Sequence, residues 1–234
     1  MGVHHHKSPI VTDGLVFQVD ADNDLSGNVS NVKNIVKPTE TGSFVNGASV
    51  VDGVYDFDGV DDYIDNSSSI TTVQSNSTGT VDAWVKLDTL TQGWIIGLGG
   101  DELNLEIFSL SVRDISGNFN FNVTSSPATD IVYADTNLVA GTWYNIVLTS
   151  NGSTWEFYIN GEQDTTSVLL GVNSGVWFDA PNPTNPLLTL GAIKNNSVVS
   201  LFWDGKIANT KIYNKALTPT EIQQNYNATK NKYH

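Results

Sequence analysis

Short runs of alternating apolar and polar residues, separated by clusters of turn-forming residues, extend along most of the chain. Residues 80–87 (TVDAWVKL) alternate with a two-residue period, which is typical of a strand with one buried face. Residues 143–149 and 154–159 flank the turn sequence SNGS, a pattern that predicts a hairpin. The Asp-Gly pair at 58–59 predicts another hairpin, with a return strand from residue 63. Further strands are predicted at residues 15–19, 49–57, 94–98, 103–110, 118–123, 131–134, 187–190 and 206–213. Strands at this spacing, with almost no helix between them, predict an all-β, two-sheet antiparallel sandwich.

One helix is predicted, close to the C-terminus. Thr218 is a suitable N-cap, Pro219 occupies the first helical position, and Glu221 completes a capping box. No interdomain linker or internal repeat interrupts the pattern of strands. We therefore expect one domain at residues 13–234, preceded by an N-terminal arm at residues 1–12.

Charge and composition exclude several classes of protein. The chain has 11 Lys and Arg against 25 Asp and Glu, a net charge of −14. Nucleic-acid backbones are bound through clustered cations, so no nucleic-acid partner is expected. Because the chain has no cysteine, it has neither a disulfide framework nor a thiol nucleophile. The polar first ten residues show no signal peptide. No stretch approaches the ~20 apolar residues of a transmembrane segment.

Five motifs, in this order along the chain, carry a family resemblance. Residues 57–64 (FDGVDDYI) resemble the FDGxDDYV signature of laminin G-like, concanavalin A-like jelly rolls. Residues 80–87, 141–147 (GTWYNIV) and 157–161 (FYING) resemble strand motifs of the same family, and residues 205–222 resemble its closing strand and helix. The resemblance implies a jelly-roll sandwich. It implies less about function, because this fold is used by lectins, glucanases, adhesion modules and virion proteins.

A narrower resemblance concerns the start of the chain. Residues 12–21 (TDGLVFQVDA) and 24–28 (DLSGN) are similar to the opening of structural proteins from large tailed bacteriophages. This resemblance implies a non-enzymatic virion protein, either a capsid decoration or a fibre component. The arm at residues 1–12 would dock on capsid or other virion proteins, in a homo-oligomer or in many copies, while the sandwich engages host glycans. The alternatives are a secreted or cell-surface carbohydrate-binding module and, more distantly, a glucanase.

The segment DELNLE at residues 101–106 suggests catalysis. Retaining glucanases of this fold carry a Glu-x-Asp-x-Glu strand, and alternation would place Glu102, Asn104 and Glu106 on one face. Here Asn104 replaces the middle acid, and its lost charge would have helped to separate the pKa values of the two glutamates. Histidine occurs only at positions 4, 5, 6 and 234, outside the predicted fold. We expect a polar strand face rather than an enzyme.

The same segment also suggests a metal site. Residues 97–106 resemble the calcium-binding segment of pentraxins, which implies Asp101 as a ligand and Asn195 among its partners. Calcium takes six to eight oxygen ligands, and Ile193 and Lys194 stand where two of the other donors are expected. The acidic turns at residues 20–24 and 58–62 are alternative oxygen-rich positions. The sequence therefore makes a structural calcium ion possible at any of these three positions without choosing between them.

Sugar binding would require an exposed aromatic ring beside amides and carboxylates. Six tryptophans are available. Trp84 and Trp143 lie within family strand motifs and are expected in the core. Trp177 and Trp203 lie near predicted loops, so these two are the predicted carbohydrate-binding residues.

Overall fold

The computed structural model describes residues 9–23, 27–28, 31–103, 106–112, 117–125 and 128–233, and these residues form a two-sheet antiparallel sandwich. This architecture confirms the predicted all-β class. The strands are β1 (Leu15–Val19), β2 (Gly27–Asn28), β3 (Asn31–Lys33), β4 (Thr41–Val45), β5 (Ser49–Val51), β6 (Val54–Asp58), β7 (Tyr63–Asp65), β8 (Gly79–Leu87), β9 (Gly93–Gly99), β10 (Ile107–Val112), β11 (Phe119–Ser125), β12 (Ala128–Ala134), β13 (Trp143–Ser150), β14 (Trp155–Ile159), β15 (Glu162–Gln163), β16 (Thr166–Leu170), β17 (Leu187–Leu190), β18 (Ile193–Asn195), β19 (Val198–Ser200) and β20 (Asp204–Tyr213). The helices are α1 (Ile70–Gln74) and α2 (Pro219–Thr229), with 3-10 turns at Ser67–Ser69 and Lys230–Lys232.

The strands belong to two large sheets and one small one. The eight-stranded sheet has the order β15-β14-β13-β8-β20-β6-β5, with β1 also paired to β20. The ten-stranded sheet has the order β16-β12-β11-β10-β9-β17-β7-β4-β3-β2. The third sheet is the β18-β19 hairpin. The hairpin predicted around the SNGS turn is confirmed, because β13 and β14 pair in register.

The hydrophobic core lies between the two large sheets. Alternation along β8 directs Val81, Ala83, Val85 and Leu87 into this core, as predicted. On the opposite side, Phe108 of β10 contacts Phe121 of β11 with their ring centroids 4.8 Å apart. Each buried side chain of this size contributes about 1.5–3 kcal/mol of hydrophobic stabilisation.

The hairpin predicted at residues 58–59 is wrong. β6 pairs with β5 and β20, whereas β7 pairs with β4 and β17 in the other large sheet. The connecting turn is held by carboxylates: Asp58 Oδ1 accepts from Val60 N at 2.8 Å, and Asp62 Oδ2 accepts from Asp58 N at 3.2 Å. These bonds lead the chain across from one sheet to the other instead of reversing it within one sheet.

Helix α2 covers part of the outer face of the eight-stranded sheet. Its predicted capping box is confirmed, since Thr218 Oγ1 accepts from Glu221 N and the Glu221 carboxylate accepts from Thr218 N. Tyr226 of this helix stacks on the outward-facing ring of Trp84, with the ring centroids 5.7 Å apart. Among the described residues, neither helix has the length and apolar character that crossing a membrane requires.

The described part of the predicted N-terminal arm packs on the same domain. Val11 is buried, its N–H donates to Asn225 Oδ1 at 2.8 Å, and its carbonyl accepts from the Tyr213 hydroxyl at 3.0 Å. Residues 9–12 therefore belong structurally to the sandwich. Residues 1–8 of the predicted arm lie outside the described residues.

Candidate functional site

A cleft of about 240 Å³ crosses the outer face of the ten-stranded sheet, over β9 to β12. We call it the amide groove; it is lined by Gln92, Trp94, Ile107, Ser109, Asn120, Asn122, Ile131, Ile193, Asn195 and Leu201. Strand register builds its floor. Ser109 lies opposite Asn122, and Asn122 lies opposite Ile131 on the next strand. Ser111 of β10 is the cross-strand partner of Asn120 on β11 and, on its other side, of Trp94 on β9.

The sequence of β11 determines which side chains face the groove. Phe119, Phe121 and Val123 point into the core. Alternation therefore directs Asn120 and Asn122 to the outer face. This FNFNV pattern was visible in the sequence, and it is the signal by which the groove could have been predicted.

One wall of the groove is the β18-β19 hairpin, which lies directly on β9. Two glycines of β9 allow this close approach: a Cβ atom at Gly97 would lie 2.6 Å from Ile193 Cδ1, and one at Gly99 would overlap the Lys194 carbonyl. Ile193 packs against Trp94 in a small apolar cluster separate from the main core. The hairpin turns through Asn196 and Ser197 with φ of 53° and 63°, values that suit a tight type I′ turn.

Two residues that line the groove each have a buried polar atom without a hydrogen-bond partner among the described residues. These atoms are the indole Nε1 of Trp94, a donor, and the side-chain Oδ1 of Asn120, an acceptor. Both atoms are buried, and Trp94 as a whole is 9% exposed. A buried polar group without a partner costs about 1–3 kcal/mol. A ligand hydroxyl both donates and accepts, so it has the chemistry to satisfy either atom.

The structure places the predicted metal ligand Asp101 in an ion pair. Its Oδ1 lies 2.7 Å from Lys194 Nζ, and its Oδ2 accepts from Asn185 Nδ2 at 2.6 Å. The hydrogen bond from Lys194 holds the pKa of Asp101 below its usual range. The ammonium group of Lys194 lies beside the Asp101 carboxylate and disfavours a second cation there; calcium binding by Asp101 and Asn195 stays a prediction. Asn195, the predicted partner, lines the amide groove instead.

Three carboxylates converge in the turn at residues 58–62. Ligand atoms of Asp58, Asp61 and Asp62 all lie within 4.8 Å of one another. Asp62 is buried and accepts from Gly47 N at 2.6 Å, and burial raises the pKa of its carboxyl group. These contacts are those of a turn that connects two sheets. Calcium binding in this turn stays a prediction.

The other acidic turn, at residues 20–24, is in contact with a lysine from the C-terminal end of the chain. Asp20 Oδ2 accepts from Asn209 Nδ2 at 3.0 Å, and Asp22 Oδ2 lies 3.1 Å from Lys232 Nζ. Asp24, the third predicted acid, lies outside the described residues. The ammonium group of Lys232 supplies a positive charge to the described part of this turn.

The predicted glucanase-like strand is not formed as expected. β10 starts at Ile107, so Glu102 and Glu106 both precede it. The Glu102 carboxylate accepts from Thr184 N at 2.9 Å, and Glu106 Oε2 accepts from Asn182 N at 2.8 Å. The hydrogen bond from Thr184 lowers the pKa of Glu102, whereas a catalytic acid needs a raised pKa. Asn104 lies outside the described residues.

The expectation that Trp177 and Trp203 are exposed is wrong. Trp177 is 1% exposed and Trp203 is 0% exposed. Trp177 packs edge-on against Phe108, with the centroids 5.1 Å apart, which places it in the main core. Proximity to a loop did not predict exposure, because the connecting segments fold their aromatic residues inward between the sheets. Trp143, expected in the core, is half-buried on the outer face of the eight-stranded sheet.

Comparison with protein families identifies one match. The model of a laminin G-type family, described as the Concanavalin A-like lectin/glucanases superfamily, matches residues 57–223. A comparison with curated protein sequences finds no match to this chain.

Several solved structures share the fold at low sequence identity. NanB sialidase from Streptococcus pneumoniae aligns at 19% identity and a TM-score of 0.60, over 73% of this chain and 27% of that one. Trypanosoma rangeli sialidase aligns at 16% identity and a TM-score of 0.62, over 95% of this chain and 34% of that one. The chain thus spans about a third or less of these sialidases.

A third structure matches along nearly its full length. It is domain 4 of AbnA, a GH43 extracellular arabinanase from Geobacillus stearothermophilus, in complex with arabinotriose. This domain aligns at 20% identity and a TM-score of 0.58, over 91% of this chain and 98% of that one. At these identities, the likeness establishes the fold.

Proposed function

We propose, given that this chain belongs to the concanavalin A-like lectin/glucanase superfamily, that it is a non-catalytic carbohydrate-binding domain. Its binding site is the amide groove, which holds one neutral sugar unit of a glycan. The observation that carries the proposal is a pair of buried, unpartnered polar atoms, Trp94 Nε1 and Asn120 Oδ1, on two residues that line the same groove. Sugar hydroxyls offer both an acceptor to the indole N–H and a donor to the amide oxygen.

The lining of the groove favours a neutral ligand. It consists of amide, hydroxyl, indole and aliphatic groups, with no charged side chain among the residues that line it. The volume of about 240 Å³ is below the roughly 300–1,000 Å³ of a drug-sized pocket, and such a volume suits a single ring at the end or side of a glycan.

The acidic residues near the groove support binding rather than catalysis. Retaining glycosidases use two carboxyl groups about 5–5.5 Å apart, one of them with a raised pKa. Here the carboxylates of Glu102 and Glu106 accept backbone N–H groups of the loop before β17, and the pKa of Glu102 is lowered. AbnA domain 4, the structure that matches nearly end to end, is a domain with bound arabinotriose. Arabinotriose is therefore a suitable first probe for this chain.

We further propose that this domain lies on the surface of a virion. The similarity of residues 12–21 and 24–28 to the opening of tailed-phage structural proteins favours a virion surface, where the sandwich would meet host glycans. Since residues 9–12 pack on their own domain, the docking segment would be residues 1–8. Mass spectrometry of purified virions tests this placement: deletion of residues 1–8 should abolish incorporation, and unchanged incorporation would contradict docking through that segment.

The glycan-binding proposal is tested by a glycan array probed with the unaltered chain and with Trp94→Phe. Phenylalanine keeps an apolar ring but removes the indole N–H, so binding to neutral glycans should weaken at least tenfold, about 1.4 kcal/mol. Trp143→Phe is the matched control, because Trp143 lies on the opposite sheet and should leave neutral glycan binding unchanged. An array without neutral glycan signals, or equal signals for Trp94→Phe and the unaltered chain, would overturn the proposal.

A further inference from the structure

A second cavity, of about 350 Å³, lies on the opposite side of the sandwich, on the outer face of the eight-stranded sheet. We call it the lysine pocket; its walls include Lys86, Lys206, Lys232, Trp143 and Tyr233. The chain has 11 lysines and arginines in all, so three of them in one pocket is a marked concentration. The lysine pocket shares no residue with the amide groove, so a ligand bound in it is independent of the function proposed for that groove.

Strand register places two of these lysines directly against each other. Lys86 of β8 is the cross-strand partner of Lys206 of β20, and Trp143 of β13 is the partner of Lys86 on its other side. Like charges in directly opposed positions destabilise a sheet. The carboxylates of Asp56 and Asp88 already compensate the charge of Lys206, so an anion in the pocket would pair with Lys86.

The three lysines differ in how their charges are compensated. Lys206 Nζ lies 2.8 Å from Asp56 and 3.1 Å from Asp88, and Lys232 Nζ lies 3.1 Å from Asp22. Lys86 has no carboxylate within ion-pair distance among the described residues, and its ammonium instead lies 5.7 Å from the ring centroid of Trp143. Asp22 and Asp52 also line the pocket. Lys86 is thus the cation there without an acidic partner among the described residues.

The aromatic side of the pocket supplies a ring-sized wall and an unused hydroxyl. Tyr233 is 9% exposed and packs against Trp143 with the ring centroids 5.0 Å apart. Its hydroxyl is buried and has no hydrogen-bond partner among the described residues. Burial and the negative charges of Asp20, Asp22 and Asp82 raise the pKa of Tyr233, so the hydroxyl stays protonated and able to donate.

We infer that the lysine pocket is a binding site for an anionic sugar, a ring that carries a carboxylate. In this arrangement the carboxylate pairs with Lys86, the ring lies along the wall formed by Trp143 and Tyr233, and a ring or hydroxyl oxygen accepts from Tyr233. The chain then has two sites of different chemistry on opposite faces, one for neutral sugars and one for acidic ones.

Isothermal titration with D-glucuronate, against D-glucose as the neutral counterpart, tests this inference on the full chain. Glucuronate should bind, Lys86→Gln should weaken it at least tenfold, and Lys86→Arg should retain most of it. Lys230→Gln is the matched control: it removes the same charge from a lysine that also lies over a ring, 5.3 Å from the Tyr226 centroid, but that does not line the pocket. Its glucuronate affinity should equal that of the unaltered chain.

Several outcomes would overturn the inference. Glucuronate that does not bind at millimolar concentration, or that binds Lys86→Gln as tightly as the unaltered chain, contradicts it. Inorganic phosphate or acetate that binds as tightly as glucuronate contradicts recognition of the ring. If Lys86→Gln does not fold, backbone amide shifts in the unaltered chain decide: glucuronate should shift Lys86, Gly53 and Trp143, whereas shifts limited to the amide groove would refute the site.

Discussion

At the scale of single residues, one feature with a large energetic consequence is a buried ion pair. Asp82 and Lys211, which are 1% and 0% exposed, lie 3.3 Å apart on adjacent strands β8 and β20. The Asp82 carboxylate also accepts hydrogen bonds from Asn145 Nδ2, at 2.8 Å, and from Asn225 Nδ2 of helix α2, at 3.0 Å. A buried pair of this kind holds neighbouring elements together only while both charges are present.

Asp82→Asn should therefore destabilise the fold by about 3–5 kcal/mol, because it leaves the Lys211 ammonium buried without a counter-charge. Urea unfolding measures this loss. Asp56→Asn is the control, since its partner Lys206 is partly exposed and such pairs contribute about 0–1 kcal/mol. An equal loss for the two variants would contradict the importance of burial.

The burial of some single residues could be predicted from the sequence, and that of others could not. Both Trp177 and Trp203 lie near loops, but whether a loop folds inward depends on space between the sheets, which no local pattern reports. Asn120 and Asn122 are different, because their alternation with phenylalanines assigns them to the outer face directly. The sequence therefore predicts that the amides of Asn120 and Asn122 face the groove, but it does not identify Trp94 as the tryptophan that lines it.

At the scale of elements, the helix cap, which depends on neighbouring residues, was predicted correctly. The strand partners on either side of the turn at residues 58–62, which come from distant parts of the chain, were not. The capping box of α2 depends on residues three positions apart, so the sequence contains all that determines it. The turn at residues 58–62 has the local chemistry of a hairpin, but the partners of β6 and β7 come from distant parts of the chain. Pairing of this kind is decided by the packing of whole sheets.

The cap of α2 gives a prediction at this scale. Thr218→Ala removes the side-chain acceptor for Glu221 N and should reduce the free energy of unfolding by about 1 kcal/mol. Thr218→Ser is the matched control, because serine caps helices at least as well as threonine. Thermal unfolding of the two variants checks this: equal melting temperatures for alanine and serine would mean that the cap contributes nothing.

At the scale of the whole molecule, the sandwich presents two chemically different faces. The ten-stranded sheet carries the uncharged amide groove, and the eight-stranded sheet carries the lysine pocket beside helix α2. The overall fold was predictable, since strand spacing and the ordered motifs both indicated it. The difference between the faces was not, because it depends on which strands become neighbours.

The central claim is that the indole N–H of Trp94 binds a neutral sugar, and nuclear magnetic resonance tests it most directly. The chain has six tryptophans, so six indole N–H signals report separately on the two faces and the core. Titration with arabinotriose, cellotriose and xylotriose should move the Trp94 signal downfield for at least one of the three, because its N–H gains an acceptor. A Trp94 signal that stays fixed at millimolar concentrations of all three sugars would contradict the claim.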